Sequence, residues 1–487
     1  METYDVIVIG AGPVGENAAD RARRGGLSVA LIEAELVGGE CSYWACMPSK
    51  TLLRPGAARA AATGIPGLPE PGPLDPEAIF AWRDRVTGEG DDQGQEDWLE
   101  SVGITLIRGH GRLAGTRRVE VTAGELPEGE TGTRLLEARR AVVVATGSVP
   151  MLPDVPGLAQ ATPWSSRDAT AADAVPQSLI ILGGGVVGCE MATAYADLGA
   201  RVTLIARGGL LGSAEPFAGA AVADSLRTAG VDVRTGTQVT RVERHGDSVS
   251  ATVVTGEGEE QVTASKILVA TGRTPRTGDV GLESIGLDPR SALAIDDTTA
   301  VLAVRGDSED APWLYACGDV TGRAATTHQG KYQARVCGDV LAATFGDGDA
   351  TARVTDTAPW SPLRATADHG AQTQVVFTRP QVAWVGLTRA EADAAGRVVD
   401  EVAVDMSSAA GAGVTHPDYA GRAQLLVDRE RRVIVGATFV GPDAGEMLHA
   451  ATIAIVGEVT MDRLWHAVPA FPTVSEVWLR LCETYGL

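Results

Sequence analysis

At 487 residues the chain is too long for one compact core, and about three or four domains are expected of it. Apolar residues make up 44% and charged residues 21%, an ordinary globular composition that excludes a disordered or fibrous chain. The formal net charge of −22 repels phosphate backbones and anionic lipid, which argues against nucleic-acid or membrane-surface binding as a main function.

Met1 leads directly into Val6-Ile7-Val8-Ile9 with no basic stretch or cleavage-like site ahead of it, and no later apolar run approaches ~18 residues. A cytoplasmic protein is expected. Six cysteines in such a chain are not a disulfide framework, so a pair at short regular spacing points to catalysis or metal binding. Cys41 and Cys46 form that pair; Cys189, Cys317, Cys337 and Cys482 read as isolated, small, buried apolar residues.

The first apolar strand runs into Gly10-Ala11-Gly12-Pro13-Val14-Gly15, then a helical run to Gly25-Gly26, then a second strand from Ser28 that closes on Glu33. The pattern returns at Leu179 to Leu182, Gly183-Gly184-Gly185-Val186-Val187-Gly188, a helix to Gly199, and Val202 to Ile205 closing on Arg207. One GxGxxG is weak. Two copies, each after a strand and opening a helix, are an internal repeat of dinucleotide-binding units. Gly10, Gly12 and Gly15, and likewise Gly183, Gly185 and Gly188, let the backbone approach a pyrophosphate at a helix N-terminus. Glu33 suits an unphosphorylated ribose such as that of FAD. Arg207 suits a 2′-phosphate and leans the second site towards NADPH, with NADH possible and a solvated surface arginine as the bland alternative.

Strand-turn segments ending in Ala145-Thr146-Gly147 and Ala270-Thr271-Gly272 each close a nucleotide-binding unit. Polar stretches over 289–311 and 345–374 read as loops or linkers. The last segment alternates strands (Ala423 to Val427, Val433 to Val440) with a helix from about Gly445 to Val456. It reads as an α+β unit suited to packing against a second subunit. The expected fold is therefore α/β. It has two Rossmann-like dinucleotide-binding domains and a C-terminal α+β dimerisation domain, divided as 1–155, 156–280, 281–355 and 356–487.

Cys41-Ser42-Tyr43-Trp44-Ala45-Cys46-Met47-Pro48-Ser49-Lys50 follows the Gly38-Gly39 turn. With this CxxxxC-x-P-S-K segment, the Gly183 to Glu190 stretch, the two Ala-Thr-Gly turns, Tyr315 to Gly322, Val375 to Pro380 and Pro472 to Glu476, almost the whole chain resembles the class I pyridine nucleotide-disulfide oxidoreductases. The known members include dihydrolipoamide dehydrogenase, glutathione reductase and mercuric reductase. An i,i+5 pair on a regular helix spans at least about 7.5 Å, beyond the ~7 Å a disulfide allows, so the first turn has to be distorted. The resemblance implies a homodimer in which NADPH reduces FAD and the flavin reduces a Cys41–Cys46 disulfide, with Cys46 as flavin-side thiolate and Cys41 exchanging with substrate. It further implies that Lys50 pairs with Glu190 near the flavin, that Asp319 holds the ribityl chain, and that Gly39, Thr146, Gly147 and Gly272 line the dinucleotides. No metal is implied.

The pattern breaks in the C-terminal segment. Disulfide-reducing members carry a His there, which serves the exchange thiol of the other subunit and is held by a Glu five residues on; here Glu476 is present but the matching position is Phe471. His466 is the nearest imidazole and reads as a surface residue. Tyr43 and Trp44 replace small or polar residues between the cysteines, and Glu40 stands where Thr is common. An aromatic approach to the disulfide is expected, with an aromatic, quinone-like or special thiol acceptor. A mercuric reductase would carry a vicinal cysteine pair where this chain has only Cys482, and soluble transhydrogenases do not keep the full cysteine pair. A redox-sensing flavoprotein with little turnover is the remaining alternative.

Overall fold

The computed structural model describes residues 1–123, 132–256, 258–304, 311–346 and 358–487. The loop expectations over 305–310 and 347–357 lie outside these. The chain forms two compact units: Met1–Met47 with Asp84–Val149 and Arg273–His369, and Pro48–Arg83 with Pro150–Gly272 and Gly370–Leu487.

The first unit is built on strand β1 (Glu2–Ile9), helix α1 (Pro13–Arg24), strand β2 (Val29–Glu33), helix α2 (Gly39–Tyr43) and the start of helix α3 (Cys46–Ala62). Strands β3 (Thr105–Arg108), β4 (His110–Leu113), β5 (Arg118–Thr122) and β6 (Thr133–Val144) follow. The sheet order is β3-β2-β1-β6-β5-β4, and the strand Leu314–Ala316 also pairs with β6. β1 is parallel to β2 and β6, with Val6 opposite Val29 and Ala141. Val6, Ile7 and Val8 are fully buried, as a central parallel strand covered on both faces requires, so β1 reads as a continuous apolar run. One cover is α1, whose Ala18, Ala19 and Ala22 are buried, packed with the helix Thr327–Phe345. The two helices approach so closely that a Cβ on Gly338 would lie 2.4 Å from the Arg21 Cβ and 2.8 Å from the Ala18 carbonyl. Only small residues fit that seam.

The second unit holds a four-stranded parallel sheet in the order Asp232–Arg234, Arg201–Ile205, Ser178–Leu182, Lys266–Val269. Beside it runs a three-stranded antiparallel sheet, Gln238–His245, Ser248–Thr255 and Gly258–Ala264. The helix Val186–Asp197 follows the strand Ser178–Leu182 and is buried on most of its surface from Gly188 to Tyr195. The C-terminal part is a five-stranded antiparallel sheet, Thr373–Val376, Gln381–Gly386, Ile434–Gly441, Arg422–Asp428 and Val399–Asp405, with the helix Ala444–Val456 packed on it. This is the expected α/β architecture with an α+β C-terminal portion. Among the described residues no helix is long and apolar enough to cross a membrane.

Candidate functional site

The two glycine-rich turns are built alike, atom for atom. Gly10 (φ 100°) donates to the Ile32 carbonyl, and a Cβ there would meet the Ala145 carbonyl oxygen at 2.6 Å; Gly183 (φ 116°) donates to the Ile205 carbonyl, and its Cβ would meet the Ala270 oxygen at 2.2 Å. The third glycines, Gly15 and Gly188, sit so that a Cβ would fall 1.8 and 1.9 Å from the Gly10 and Gly183 carbonyl oxygens. The middle glycines differ: Gly185 has nothing within 4 Å of a Cβ position, and Gly12 only the Gly39 Cα at 4.0 Å. Each turn is thus closed where helix packs on strand and open where a pyrophosphate would approach a helix N-terminus.

The same register aligns Ile32 with Ile205, and therefore Glu33 with Ala206 rather than with Arg207. Glu33 accepts from the backbone N–H of Ala11 at 2.7 Å and of Glu35 at 2.8 Å, which fixes its carboxylate beside the first turn. The second copy has a methyl at that position and places the exposed Arg207 one residue later. In the first turn of α1, burial pushes the Glu16 carboxyl up to about 7, with Lys331 opposing and Glu33 adding to the shift.

The cysteines lie where the helix breaks. Gly38 (φ 106°) and Gly39 (φ 56°) lead into α2, which carries Cys41; the chain leaves helical geometry at Trp44 (φ −131°), and Cys46 opens α3. Gly39 is needed for a second reason, since a Cβ there would stand 2.8 Å from the Gly12 Cα. The break brings the two part-exposed cysteine sulfurs within hydrogen-bonding reach of one another. The hydrogen bond to Cys46, then burial and the Cys46 charge, push the Cys41 thiol up, with the Thr327 hydroxyl opposing. The Thr327 hydroxyl lies 3.3 Å from the Cys46 Sγ and opens the helix Thr327–Phe345, whose N-terminal dipole favours a thiolate. The preceding residue has a buried hydroxyl oxygen, Thr326 Oγ1, with no protein partner, a polar atom left for a bound group.

Around the turn after Gly147, Ser148 donates to the Asp319 carboxylate at 2.6 Å, and the Arg273 Nε donates to the Ser148 Oγ at 2.7 Å. Arg273 also reaches Glu40, at 3.4 Å, beside Cys41. The Thr146 hydroxyl instead donates to the Arg276 carbonyl at 2.7 Å, and Gly147 adopts φ 73°. In the second unit Lys50 donates to Glu190 at 2.8 Å; the buried Glu190 also accepts the Phe377 N–H at 2.9 Å, and the Phe377 ring lies 5.1 Å below the ammonium. The glycine of the second Ala-Thr-Gly turn, Gly272 (φ 142°), accepts from the Met151 N–H at 3.0 Å.

Two expectations change. Tyr43 is buried with its hydroxyl on the Val37 carbonyl, so it belongs to the core, and only Trp44 of the two aromatics is part-exposed. Cys317 and Cys337 are not isolated: they are hydrogen-bonded and fully buried, and burial holds the Cys317 thiol well above the usual range, the state of an inert thiol. Glu476 is buried and accepts the Gly411 N–H at 3.3 Å, whereas Phe471 is 76% exposed and His466 is exposed. Sequence reasoning missed Thr326, Thr327 and Ser148. Ser148 could have been flagged because it directly follows Gly147; the two threonines carry no signal beyond opening a long helical run.

The family model described as pyridine nucleotide-disulphide oxidoreductase matches residues 4–334, and that family's dimerisation domain matches residues 373–482. The chain belongs to this family. The oxidoreductase is 32% identical to a mercuric reductase of Streptomyces lividans, covering 99% of this chain and 96% of that protein. It is also 32% identical to a dihydrolipoyl dehydrogenase of Thermus scotoductus, covering 99% and 97%. Among solved structures, LpdA of Mycobacterium tuberculosis has a TM-score of 0.81 at 25% identity with both chains covered in full. The HOCl-induced flavoprotein disulfide reductase RclA of Escherichia coli, as a Cu(II) complex, has the same fold, with a TM-score of 0.81 at 23% identity and 99% of each chain covered. The family is FAD-dependent and uses pyridine nucleotides, so the oxidoreductase acts on sulfur groups with such a nucleotide as its redox partner.

Proposed function

We propose that this oxidoreductase is a cytoplasmic homodimer that uses NADPH to reduce its Cys41–Cys46 disulfide and passes the two electrons to a small acceptor. The observation that carries the reading is the helix break that brings the two thiols together under the Thr327 hydroxyl. FAD, when bound, supplies the two-electron chemistry that connects the nicotinamide with the disulfide. The domain division 1–155, 156–280, 281–355 and 356–487 is retained as part of this proposal.

The residues fit both dinucleotides. Gly10, Gly12, Gly15 and Gly39 leave room for the FAD pyrophosphate at the start of α1, Glu33 accepts from the ribose, Thr146 and Gly147 shape the turn beside it, and Asp319 holds the ribityl chain while Ser148 fixes its carboxylate. Gly183, Gly185 and Gly188 do the same for the nicotinamide nucleotide, with Gly272 closing the turn. Lys50, oriented by Glu190, supplies a positive charge one helical turn beyond Cys46. Cys46 serves as the thiolate, stabilised by the Thr327 hydroxyl and the helix N-terminus, and Cys41 holds the proton and meets the acceptor. In the transfer the Cys46 thiolate and the Cys41 thiol lose two electrons and the one proton they hold, and close an S–S bond. The acceptor takes up the two electrons with that proton and a second one from solvent, and leaves as a thiol pair or a hydroquinone.

An acceptor that needs no imidazole acid–base group is favoured, because Phe471 stands where one is expected. A quinone-like or aromatic oxidant meets that condition, and the part-exposed Trp44 offers a stacking face. The likeness to mercuric reductases makes Hg(II) the second reading, against which stands the burial of Cys482, 2% exposed.

The test is anaerobic titration of the purified holoprotein with NADPH. Uptake of two electron pairs, with absorbance appearing at long wavelength, is expected. Uptake of one pair would show that the thiols stay outside the redox path. A screen of disulfides, quinones and Hg(II) then assigns the acceptor.

The nucleotide preference rests on Ala206 and Arg207. Arg207→Ala should lower kcat/KM for NADPH by roughly ten- to a hundredfold, the size of a lost charge-assisted contact, and leave NADH almost unaffected. Equal losses with both nucleotides would remove the 2′-phosphate assignment.

A further inference from the structure

The turn Gly318–Thr321, which carries Asp319, is held from behind by a buried polar network that the reaction does not touch. Gly318 adopts φ 79°, and its N–H donates to the Gln333 Oε1 at 2.7 Å. The Gln333 Nε2 donates to one oxygen of Asp368 at 2.8 Å, and the Gln329 Nε2 to the other at 2.6 Å. The Asp368 side chain is 0% exposed, and Gln333 is wholly buried. Arg323 stands 3.5 Å from Asp368 and 3.4 Å from Asp297, which His369 and Arg364 also meet, at 2.7 and 3.1 Å. Tyr332 and the Cys317 thiol also feel the Asp368 charge.

A side-chain amide can turn over and exchange its donor and acceptor ends, and nothing in Gln333 itself selects one orientation. An ionised carboxylate only accepts. With Asp368 on one side, Gln333 has to point its NH2 at the carboxylate, and its carbonyl oxygen is then left facing Gly318. Turned over, the amide would set oxygen against carboxylate and NH2 against N–H, leaving buried groups unsatisfied at both ends.

We propose that Asp368 is a positioning residue for the cofactor: its buried carboxylate fixes the Gln333 amide in the orientation that accepts from Gly318, and the Gly318–Thr321 turn so held sets the seat of Asp319. The inference deepens the reading in which Asp319 holds the ribityl chain and rests on it. The relay is specific in sign, because each link is a donor meeting an acceptor, and that makes it separable from general packing.

Three variants test it in the full-length protein. Asp368→Asn allows Gln333 to turn over and should weaken FAD binding by roughly tenfold to a hundredfold, the effect of leaving one buried donor unpaired. Gln333→Glu keeps an acceptor for Gly318 but sets a second carboxylate against that of Asp368, so its FAD affinity should fall as pH rises from 5.5 to 8.5 more steeply than wild type, roughly tenfold over that range. The double variant D368N/Q333E restores the pattern, with the Asn amide donating to the Glu carboxylate. It should return to within about threefold of wild type and lose the extra pH dependence.

Hydrogen exchange of the peptide spanning Gly318–Thr321 is read in parallel on apoprotein, faster in each single variant and restored in the double. FAD affinity unchanged in Asp368→Asn, or a double variant no better than either single one, would overturn the proposal. A wild type that binds no FAD would instead overturn the ribityl assignment, and the exchange pattern alone would then decide whether Asp368 orders the turn.

Discussion

Cys46→Ser is expected to abolish turnover with disulfide and quinone acceptors, by at least about a thousandfold, while leaving the protein folded. Serine cannot close a bond to Cys41, so no two-electron reservoir remains beyond the cofactor. The Ser hydroxyl keeps the contact with Thr327 and is nearly the same size, so the melting temperature should change by only a few degrees. Anaerobic NADPH titration then reads one electron pair where the wild type takes two, and the long-wavelength absorbance is absent. Cys41→Ser gives the informative contrast, because the thiolate that meets Thr327 survives. That variant should lose acceptor turnover equally but keep the long-wavelength feature. Retention of more than about a tenth of wild-type turnover by Cys46→Ser would show that electrons leave by another route.

Phe471→His is expected to act in the opposite direction, as a gain of activity. On the proposed reading Phe471 deprives the thiol exchange of the imidazole that the family resemblance expects there, and wild-type reduction of lipoamide or glutathione disulfide near pH 7 should be slow. An imidazole five residues before Glu476 would supply one, and general acid–base catalysis of this kind contributes about a hundredfold. Glu476 accepts the Gly411 N–H through one oxygen at 3.3 Å, and a carboxylate can accept further donors, so it can still orient the ring. The pH profile of the variant should gain a limb near the ordinary histidine value of about 6.5, with activity rising as the imidazole loses its proton. Phe471 is 76% exposed on the single chain, so the substitution should leave the fold of the protomer intact. No gain with either disulfide between pH 6 and 9 would show that position 471 does not serve the exchange thiol.

Most of the dinucleotide architecture was legible in the residues themselves, because backbone geometry writes it in glycine. Gly10 and Gly183 adopt positive φ, and Gly15 and Gly188 press on carbonyl oxygens, so each position admits no side chain and the spacing is visible in the chain. The Cys41 to Lys50 segment was legible for a related reason, since a five-residue offset forces a helix break and the glycines before it permit one. The Lys50–Glu190 pair, 140 residues apart, came only through the resemblance. What remained hidden depends on tertiary placement. Tyr43 looked like part of an acceptor route because its neighbours are reactive, but its hydroxyl finds the Val37 carbonyl and its ring enters the core. Cys317 and Cys337 looked isolated because nothing local shows that the helix Thr327–Phe345 lies against the turn after the strand Leu314–Ala316. The alignment of Glu33 with Ala206 required the backbone hydrogen bonds of both turns.

The contact between Gly39 and Gly12 ties two things that could have been separate. A methyl on residue 39 would press on the backbone of the first fingerprint at 2.8 Å, so a change there has to displace either the first glycine-rich turn or the short helix that bears Cys41. The cysteine-bearing helix takes its location from the same few atoms that are proposed to bind the nucleotide. On the proposed reading, loss of the cofactor and loss of the sulfur chemistry should therefore arrive together when this point drifts.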